Sequence, residues 1–312
     1  MNAVEIKRRM GESDIAEVSQ LLQEVAAADE HAALGEHQWL DLVHGGRKGF
    51  AGFVARQSVD GPLVGYAQLS RGHETWAVEV VVRPDRRSPE EAVGVELVTA
   101  ALDEAGRLGG GHVHMWVAKP TAQTDAVAEH CGLSRGRDLY QMRRSLPVDQ
   151  AHERPKTRPF QPGVDEAAWL EMNNRAFASH PEQGGWTLDT ILEREAEPWF
   201  DPDGFLIHER DGRMAGSCWT KVHHETSFRM GEIYVLCVDP EFQGLGLGRG
   251  LALAGLDHLS ELGTDLTMLY VDAANDPAVS LYRGLGFEVD HVDRAYTGDV
   301  PNRRAGSVHE AP

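Results

Sequence analysis

A glycine-rich segment is the part of this sequence whose residue types most directly suggest chemistry. It runs from Gln243 to Gly248, with glycines at positions 244, 246 and 248, between a strand-like run and a helix-like run. Glycines at such a junction let several successive N–H groups point at one anion, at the positive end of the helix dipole. The spacing fits neither the dinucleotide fingerprint nor a P-loop, which ends in Gly-Lys-Ser/Thr. The segment therefore predicts a phosphate-binding loop of another kind, or a tight turn that the glycines merely permit.

A carboxylate precedes this segment on a run of β-forming residues. Alternate residues of a strand share one face, and in the run 232–238 these are Glu232, Tyr234, Leu236 and Val238. Glu232 could act there as a general base, or it could form a cross-strand salt bridge. The surrounding elements follow the order helices, three strands, helix, strand, helix, strand. This order predicts a mixed α/β sheet, with the carboxylate on the strand that leads into the glycine-rich segment.

The chain repeats itself at a spacing of about 150 residues, which indicates internal duplication. DGPLVG at 60–65 recurs as DGRMAG at 211–216, and three other pairs of short segments recur in the same order. Prolines at 147, 155, 159 and 162 mark the connection between the copies. We therefore expect two tandem domains, at 1–152 and 153–300, followed by a flexible tail at 301–312.

Charge and cysteine content narrow the class of protein. The 49 acidic and 30 basic residues give a formal net charge of −19, and this field repels phosphate backbones and anionic lipid. We therefore expect no nucleic-acid or membrane partner, and an anionic ligand must be held by local N–H groups or a few cations. Three cysteines without CxxC spacing and the lack of an apolar leader predict a cytoplasmic protein. Histidine pairs at 112/114 and 223/224 lack a third ligand at zinc spacing, so no metal is expected.

The strand, loop and helix around the glycines resemble the GNAT acetyltransferases. Residues 243–248 match the family pattern Q/R-x-x-G-x-G/A, and residues 275–287 match the N-x-x-A-x-x-x-Y-x-x-x-G-F signature of the helix that faces the coenzyme. The resemblance implies a GNAT fold in both halves and acetyl-CoA as co-substrate. It places the coenzyme against Leu236, Cys237, Val238, Gln243, Gly244, Leu245, Gly246, Leu247, Gly248, Arg249, Asn275, Ala278 and Ser280.

A narrower resemblance is to the mycothiol synthases, a GNAT family with two tandem domains. It rests on HPEQGGW at 180–186, WFDPDG at 199–204, WTKVH at 219–223 and GEIYV at 231–235. That family moves acetyl to the cysteinyl amine of a cysteine-glucosamine-inositol pseudodisaccharide, by direct attack. The resemblance implies this small-molecule partner, and we expect the chain to act as a monomer. It also implies an acceptor site formed by Glu36, Glu182, Lys221, Glu232 and Tyr270.

The family chemistry assigns two catalytic roles. An amine that attacks a thioester must lose a proton, and the leaving thiolate must gain one. The resemblance gives the base role to Glu232 and the acid role to Tyr282, because a phenol of pKa about 10 can protonate a thiolate whose conjugate acid has a pKa near 8.5. The alternatives are a salt bridge for Glu232 and a core position for Tyr282. Direct attack needs no acyl-enzyme, so Cys237 is expected to be a packing residue.

The first half lacks these residues at the matching offsets. Trp76 stands where Glu232 does, and His130 stands where Tyr282 does. The three loop glycines are replaced by Ser88, Glu90 and Ala92. We therefore expect a non-catalytic first domain, with residual coenzyme binding around residues 80–82 left open. Two other functions stay open for the whole chain: acetylation of another amine, such as a protein N-terminus or an aminoglycoside, and acyl-CoA sensing without turnover.

Overall fold

The chain divides into two compact units. The structure is a computed structural model that describes residues 3–29, 31, 33–34, 36–43, 49–58, 61–71, 75–88, 92–149, 151–178, 183–223 and 229–303. Unit 1 comprises Met1–Asp138 and Val292–Pro312, and unit 2 comprises Leu139–His291. The sequence predicted a single boundary near residue 152, whereas the chain changes unit at two other points. Both points fall inside a strand.

Unit 1 alternates helices and strands. Its elements are β1 (Ala3–Lys7), α1 (Glu12–Asp29), α2 (Glu36–Val43), β2 (Ala51–Arg56), β3 (Leu63–Arg71), β4 (Trp76–Val82), α3 (Val93–Arg107), β5 (Gly111–Ala118) and α4 (Ala122–His130). The next strand, β6 (Ser134–Ser145), leaves unit 1 after Asp138 and continues in unit 2.

Unit 2 repeats the same order of elements. They are β7 (Arg158–Pro159), α5 (Glu166–Ala176), α6 (Leu188–Glu195), β8 (Phe205–Arg210), β9 (Arg213–His223), β10 (Met230–Val238), α7 (Leu247–Glu261), β11 (Leu266–Asp272) and α8 (Asp276–Gly284). The last strand, β12 (Glu288–Val300), begins in unit 2 and belongs to unit 1 from Val292 onward. The predicted mixed α/β fold is confirmed. Among the described residues, no helix has the length and apolar composition that a membrane crossing needs.

Strand pairing is the same in both units. In unit 1, β1 to β4 pair antiparallel in chain order, and β4 runs parallel to β5 through Trp76–Val78 and Val113–Met115. In unit 2, β7 to β10 pair antiparallel, and β10 runs parallel to β11 through Met230–Glu232 and Leu266–Met268. Each parallel ladder has only three residue pairs. The remaining backbone of β10 on that side is therefore left without a ladder partner in β11.

Two apolar clusters cover the two faces of the unit 2 sheet. Helices α7 and α8 pack on one face, in an apolar cluster that includes Ile233, Leu251 and Tyr282; we call this the α7/α8 cluster. Helices α5 and α6 pack on the other face, in an apolar cluster that includes Cys237 and Trp219; we call this the α5/α6 cluster. The side on which a β10 residue lies thus decides whether it meets α7 and α8 or α5 and α6.

Candidate active site

Glu232 lies within β10 and is only 7% exposed. Its cross-strand neighbour on β9 is Lys221. The side chain that pairs with Glu232 is nevertheless His223, two residues further along the same face, whose Nε2 lies 2.7 Å from Oε2 of the carboxylate. The cross-strand contact of Glu232 is therefore made with an imidazole and not with an ammonium group.

A β-bulge in β10 changes which residues share a face with Glu232. The register with β9 shifts between residues 233 and 235, so Tyr234 is the extra residue. Beyond the bulge, Cys237 enters the α5/α6 cluster, on the side of Glu232. The prediction that Leu236 and Val238 share the face of Glu232 was wrong, because the bulge turns both toward the α7/α8 cluster.

Strand register brings together three of the residues predicted for the acceptor site. Lys221 lies opposite Glu232 on β9, and Met268 pairs with Glu232 on β11. Tyr270, two residues beyond Met268, shares that face and is 44% exposed. The next strand contributes Gln141, which pairs with Tyr270 in register and donates from Nε2 to the Tyr270 hydroxyl at 2.7 Å. Lys221, Glu232, Tyr270 and Gln141 form what we call the polar face of unit 2.

Gln141 is a residue that sequence reasoning missed. Arg143 donates from Nε to the Gln141 Oε1 at 2.8 Å, which fixes the orientation of the amide. The amide nitrogen must then face Tyr270, so the Tyr270 hydroxyl accepts there and its own proton points elsewhere. Gln141 and Tyr270 are 129 residues apart, and no local pattern could have connected them.

The ammonium group of Lys221 packs against a group of aromatic side chains. Its Nζ is 4.6 Å from the centroid of the Trp199 ring. Trp199 in turn packs 5.0 Å from Tyr234 and 6.0 Å from Trp219, ring centre to ring centre. An ammonium over an indole face is attracted by about 0.5–1 kcal/mol at an exposed site. The ammonium group of Lys221 therefore contacts the ring of Trp199.

The glycine-rich segment has the geometry of an anion-binding helix start. Gly244 and Gly246 both have a φ of +77°, a conformation that favours glycine. Gly246 is the N-cap of the 15-residue helix α7, and no side chain caps that helix. Residues 243–246 are exposed, and a Cβ on Gly244 or Gly246 would meet nothing within 4 Å. The first N–H groups of α7 are thus open to a ligand, as a pyrophosphate requires.

Side chains tie this segment to the sheet and the neighbouring helices. Gln243 donates from Nε2 to the carbonyl of Val238 at 3.1 Å. Arg249 lies in the first turn of α7, and its guanidinium fills the space beside Gly284, where a Cβ would come within 2.5 Å of it. Leu245 is 62% exposed at the tip. The loop is therefore anchored at both ends while its middle stays open.

Three residues predicted to face the coenzyme lie in the first turns of α8. Asn275 is the N-cap, and its Oδ1 accepts from the backbone N–H of Ala278 at 3.2 Å. This contact gives the asparagine of the signature a helix-capping role, worth about 1 kcal/mol. Ser280 is exposed, whereas Ala278 is partly buried.

Tyr282 lies on the inner side of α8 and is 8% exposed. It belongs to the α7/α8 cluster, on the sheet face opposite Glu232, and its ring meets Phe287 at 5.8 Å. Burial, with a smaller contribution from the Cys218 thiol, raises the pKa of Tyr282 above its usual value. The phenol is therefore fully protonated at neutral pH, and its hydroxyl donates to none of the described residues.

Cys237 is 1% exposed and packs in the α5/α6 cluster. Burial, followed by the charge of Asp239, raises the pKa of its thiol to about 12. Since the thiolate is the nucleophile, a thiol in this environment is inert at neutral pH. Its surroundings are those of a packing residue.

Two residues predicted for the acceptor site cannot be placed. Glu36 begins α2, but its side chain lies outside the described part of the chain, and Glu182 lies outside it altogether. Within the described residues, no group of three metal-ligating side chains is found. His112 instead lies 2.9 Å from the carboxylate of Asp299.

The pairing of β3 with β4 also corrects the prediction of which unit 1 residue corresponds to Glu232. Gly65 pairs with Val82 as Gly216 pairs with Val238, but β4 has no bulge where β10 has one. Ala77, opposite Ser70, therefore corresponds to Glu232, and Trp76 does not. Trp76 is buried and donates to the carbonyl of Gly110 at 3.0 Å. Of the residues that replace the glycines, Ser88 and Ala92 are described and Glu90 is not.

Unit 1 contains a cavity of about 700 Å³ where β4 and β5 diverge beyond their short ladder. Val80–Val82 and Met115–Ala118 line it. Among its lining residues, Arg87 pairs with Asp29 at 2.7 Å, and Lys119 donates to the backbone carbonyl of Asp29 at 2.8 Å. Residual coenzyme binding around residues 80–82 stays a prediction, and this cavity is where it would occur.

Comparison with known proteins first defines the class. The family model described as "Acetyltransferase (GNAT) family" matches residues 167–287. A GCN5-related N-acetyltransferase from Sphaerobacter thermophilus shares the fold with a TM-score of 0.75, at 23% identity over 96% of each chain. A tandem GNAT protein from the clavulanic acid biosynthesis pathway has a TM-score of 0.69, at 18% identity over 96% of this chain and 99% of that one. The fold is that of a tandem GNAT acetyltransferase.

Full-length relatives define the family more narrowly. The mycothiol acetyltransferase of Acidimicrobium ferrooxidans is 43% identical over 88% of this chain and 90% of its own. That of Streptomyces griseus is 44% identical over 88% of this chain and 89% of its own. The chain belongs to the mycothiol acetyltransferase family and is an acetyltransferase. The GNAT resemblance and the enzyme class predicted from the sequence are confirmed.

Proposed function

We propose that the chain transfers the acetyl group of acetyl-CoA to the cysteinyl amine of the cysteine-glucosamine-inositol pseudodisaccharide, which yields mycothiol. The observation that carries this proposal is the polar face of unit 2, where buried Glu232 has Lys221 and Tyr270 on the neighbouring strands. The same strand leads into the open glycine-rich segment. The name of the relatives is the ground for this particular acceptor.

The reaction needs two proton transfers and no acyl-enzyme. The amine nitrogen attacks the thioester carbonyl, the new N–C bond forms, and the C–S bond breaks. An α-amine of pKa about 8 costs about 1.4 kcal/mol to deprotonate at pH 7, so one carboxylate acting through water suffices. Glu232 would accept the amine proton, and Tyr282 would give its phenolic proton to the coenzyme thiolate.

Acetyl-CoA would bind along the open edge of β10. The ladder with β11 ends at Glu232, so the backbone of Leu236–Val238 is available to the pantetheine arm. The N–H groups of residues 243–249 would hold the pyrophosphate, with the guanidinium of Arg249 as a nearby cation. On α8, Asn275, Ala278 and Ser280 complete the proposed coenzyme site.

Gly246→Val tests this assignment. Its φ of +77° strains any L residue, and a β-branched side chain would occupy the open space over the first turn of α7. We expect the Kd for acetyl-CoA, measured by calorimetry, to rise at least about 10-fold, or about 1.4 kcal/mol.

Gly212→Val is the matched control. Gly212 has a φ of +78° and equally open surroundings, but it lies in the hairpin turn between β8 and β9. Both variants should lose similar thermal stability, and only the first should lose coenzyme affinity. Unchanged binding in folded Gly246→Val, or an equal loss in Gly212→Val, would remove the loop from the coenzyme site.

The rest of the proposal comes from the family resemblance. Glu36 and Glu182 would complete the acceptor site with Lys221, Glu232 and Tyr270. Unit 1 would be non-catalytic, since its counterpart of Glu232 is an alanine. We further propose a cytoplasmic monomer that needs no metal and binds neither nucleic acid nor membrane.

Mass spectrometry of acetyl gain across a panel of amines tests the acceptor. The panel contains the cysteinyl pseudodisaccharide, its uncysteinylated glucosaminyl-inositol, a peptide N-terminus and an aminoglycoside. We expect acetylation of the first in clear preference to the others. Acetylation of another amine alone would overturn the acceptor and keep the acetyltransferase. Acetyl-CoA binding without turnover on any amine would favour an acyl-CoA sensor.

A further inference from the structure

The partner of Glu232 is not the one that register alone would choose. Directly opposed residues have the shortest Cβ separation in an antiparallel pair, and the residue opposite Glu232 is Lys221. The ammonium of Lys221 lies over Trp199 instead, and the diagonal neighbour His223 reaches the carboxylate. The side chains of His223 and Glu232 are 16% and 10% exposed, so this pair is largely screened from water.

This choice of partner suits a base. A lysine in contact with a carboxylate stabilises its charged form and so weakens it as a proton acceptor. An imidazole N–H can hold one carboxylate oxygen while the ring itself stays neutral. Among the described residues, the other oxygen, Oε1, has no hydrogen-bond partner. The carboxylate is therefore fixed through one oxygen and left with the second for an incoming proton.

We propose that His223 is a positioning residue for the reaction. Its Nε2–H donates to Oε2 of Glu232 and aims Oε1 at the amine or at the water that carries the amine proton. The inference rests on the proposed role of Glu232 as general base, and it assigns His223 a function other than metal binding. Because misplacing a catalytic group by about 1 Å can cost 10²-fold, the contribution of His223 should appear in kcat.

The test compares His223→Ala with His223→Gln, because the glutamine Nε2 can take the place of the imidazole Nε2–H. We expect the alanine variant to lose about 10- to 100-fold in kcat, with acetyl-CoA affinity within twofold of wild type. The glutamine variant should recover most of that loss. His112→Ala is the matched control, since His112 also pairs with a carboxylate, but in unit 1 and at an exposed site. It should leave kcat unchanged.

A double-mutant cycle shows whether His223 acts through Glu232. If it does, adding His223→Ala to Glu232→Gln should cost little beyond Glu232→Gln alone. Fully additive losses, an unchanged kcat in His223→Ala, or a glutamine variant as slow as the alanine variant would each overturn the proposal. The last outcome would mean that the imidazole itself carries the proton.

The role proposed for His223 can be tested independently of the identity of the acceptor. If the wild type acetylates a different amine, the same ratios are measured with that amine and keep their meaning. If it acetylates none, imidazole ¹⁵N spectra of wild type and Glu232→Ala test the contact between His223 and Glu232. Of the 15 histidines, only His223 should lose a hydrogen-bonded Nε2–H signal in Glu232→Ala. Identical spectra would overturn the pair.

Discussion

Replacing Glu232 with glutamine is expected to lower kcat at least about 100-fold, the usual range for a general base. The substitution keeps the size of the side chain and an oxygen that can accept from His223, so the fold and the packing of β10 should survive. The loss corresponds to about 2.7 kcal/mol of transition-state stabilisation. Steady-state kinetics should show it in kcat, while calorimetry should show acetyl-CoA affinity within twofold of wild type.

Glu79→Gln in unit 1 is the matched control for this variant. Glu79 is a partly buried carboxylate on β4, two residues from Ala77 and on the same face, and it lines the unit 1 cavity. Turnover of Glu79→Gln should stay near that of wild type. Equal losses in the two variants would contradict the assignment of catalysis to unit 2, and a wild-type rate in Glu232→Gln would leave the carboxylate in a structural role.

Replacing Tyr282 with phenylalanine is expected to lower kcat by about 10²-fold or more while coenzyme binding persists. The change removes one hydroxyl and keeps the ring contact with Phe287. The loss should shrink with an acyl donor whose leaving thiol is more acidic, because that thiolate needs less help from an acid. Burial raises the pKa of Tyr282, so its phenol should keep its proton beyond pH 10 and produce no basic limb below that pH.

Tyr66→Phe controls for the loss of a buried phenol. Tyr66 is fully buried in unit 1, its pKa is likewise raised by burial, and its hydroxyl donates to Gln68 at 2.9 Å. The variant should lose some thermal stability and keep its turnover. If Tyr282→Phe slows acidic and ordinary leaving groups alike, the phenol is not the acid that protonates the thiolate.

Local sequence determined the parts of this protein that depend on neighbouring residues. The glycines of the loop lie at a strand-to-helix junction, and two of them have the positive φ that other residues avoid. The duplicated segments predicted two units with the same order of elements, which the structure shows. Strand periodicity also placed Glu232 on the strand that leads into the loop. Each of these features is fixed within a few residues, by backbone conformation or by short-range alternation.

Only the tertiary structure decided how those parts meet. The bulge at Tyr234 depends on the pairing of β10 with β9, and it turns Leu236 and Val238 away from Glu232. The contact of Gln141 with Tyr270 and the choice of His223 as the partner of Glu232 depend on register between strands and on the packing of side chains around them. The alternation of residues along one strand does not show how that strand pairs with its neighbour. A single extra residue in a bulge moves every later residue of the strand to the opposite face of the sheet. The sequence could therefore supply Glu232 and the glycine-rich loop, and the packing of the sheet determined which side chains surround them.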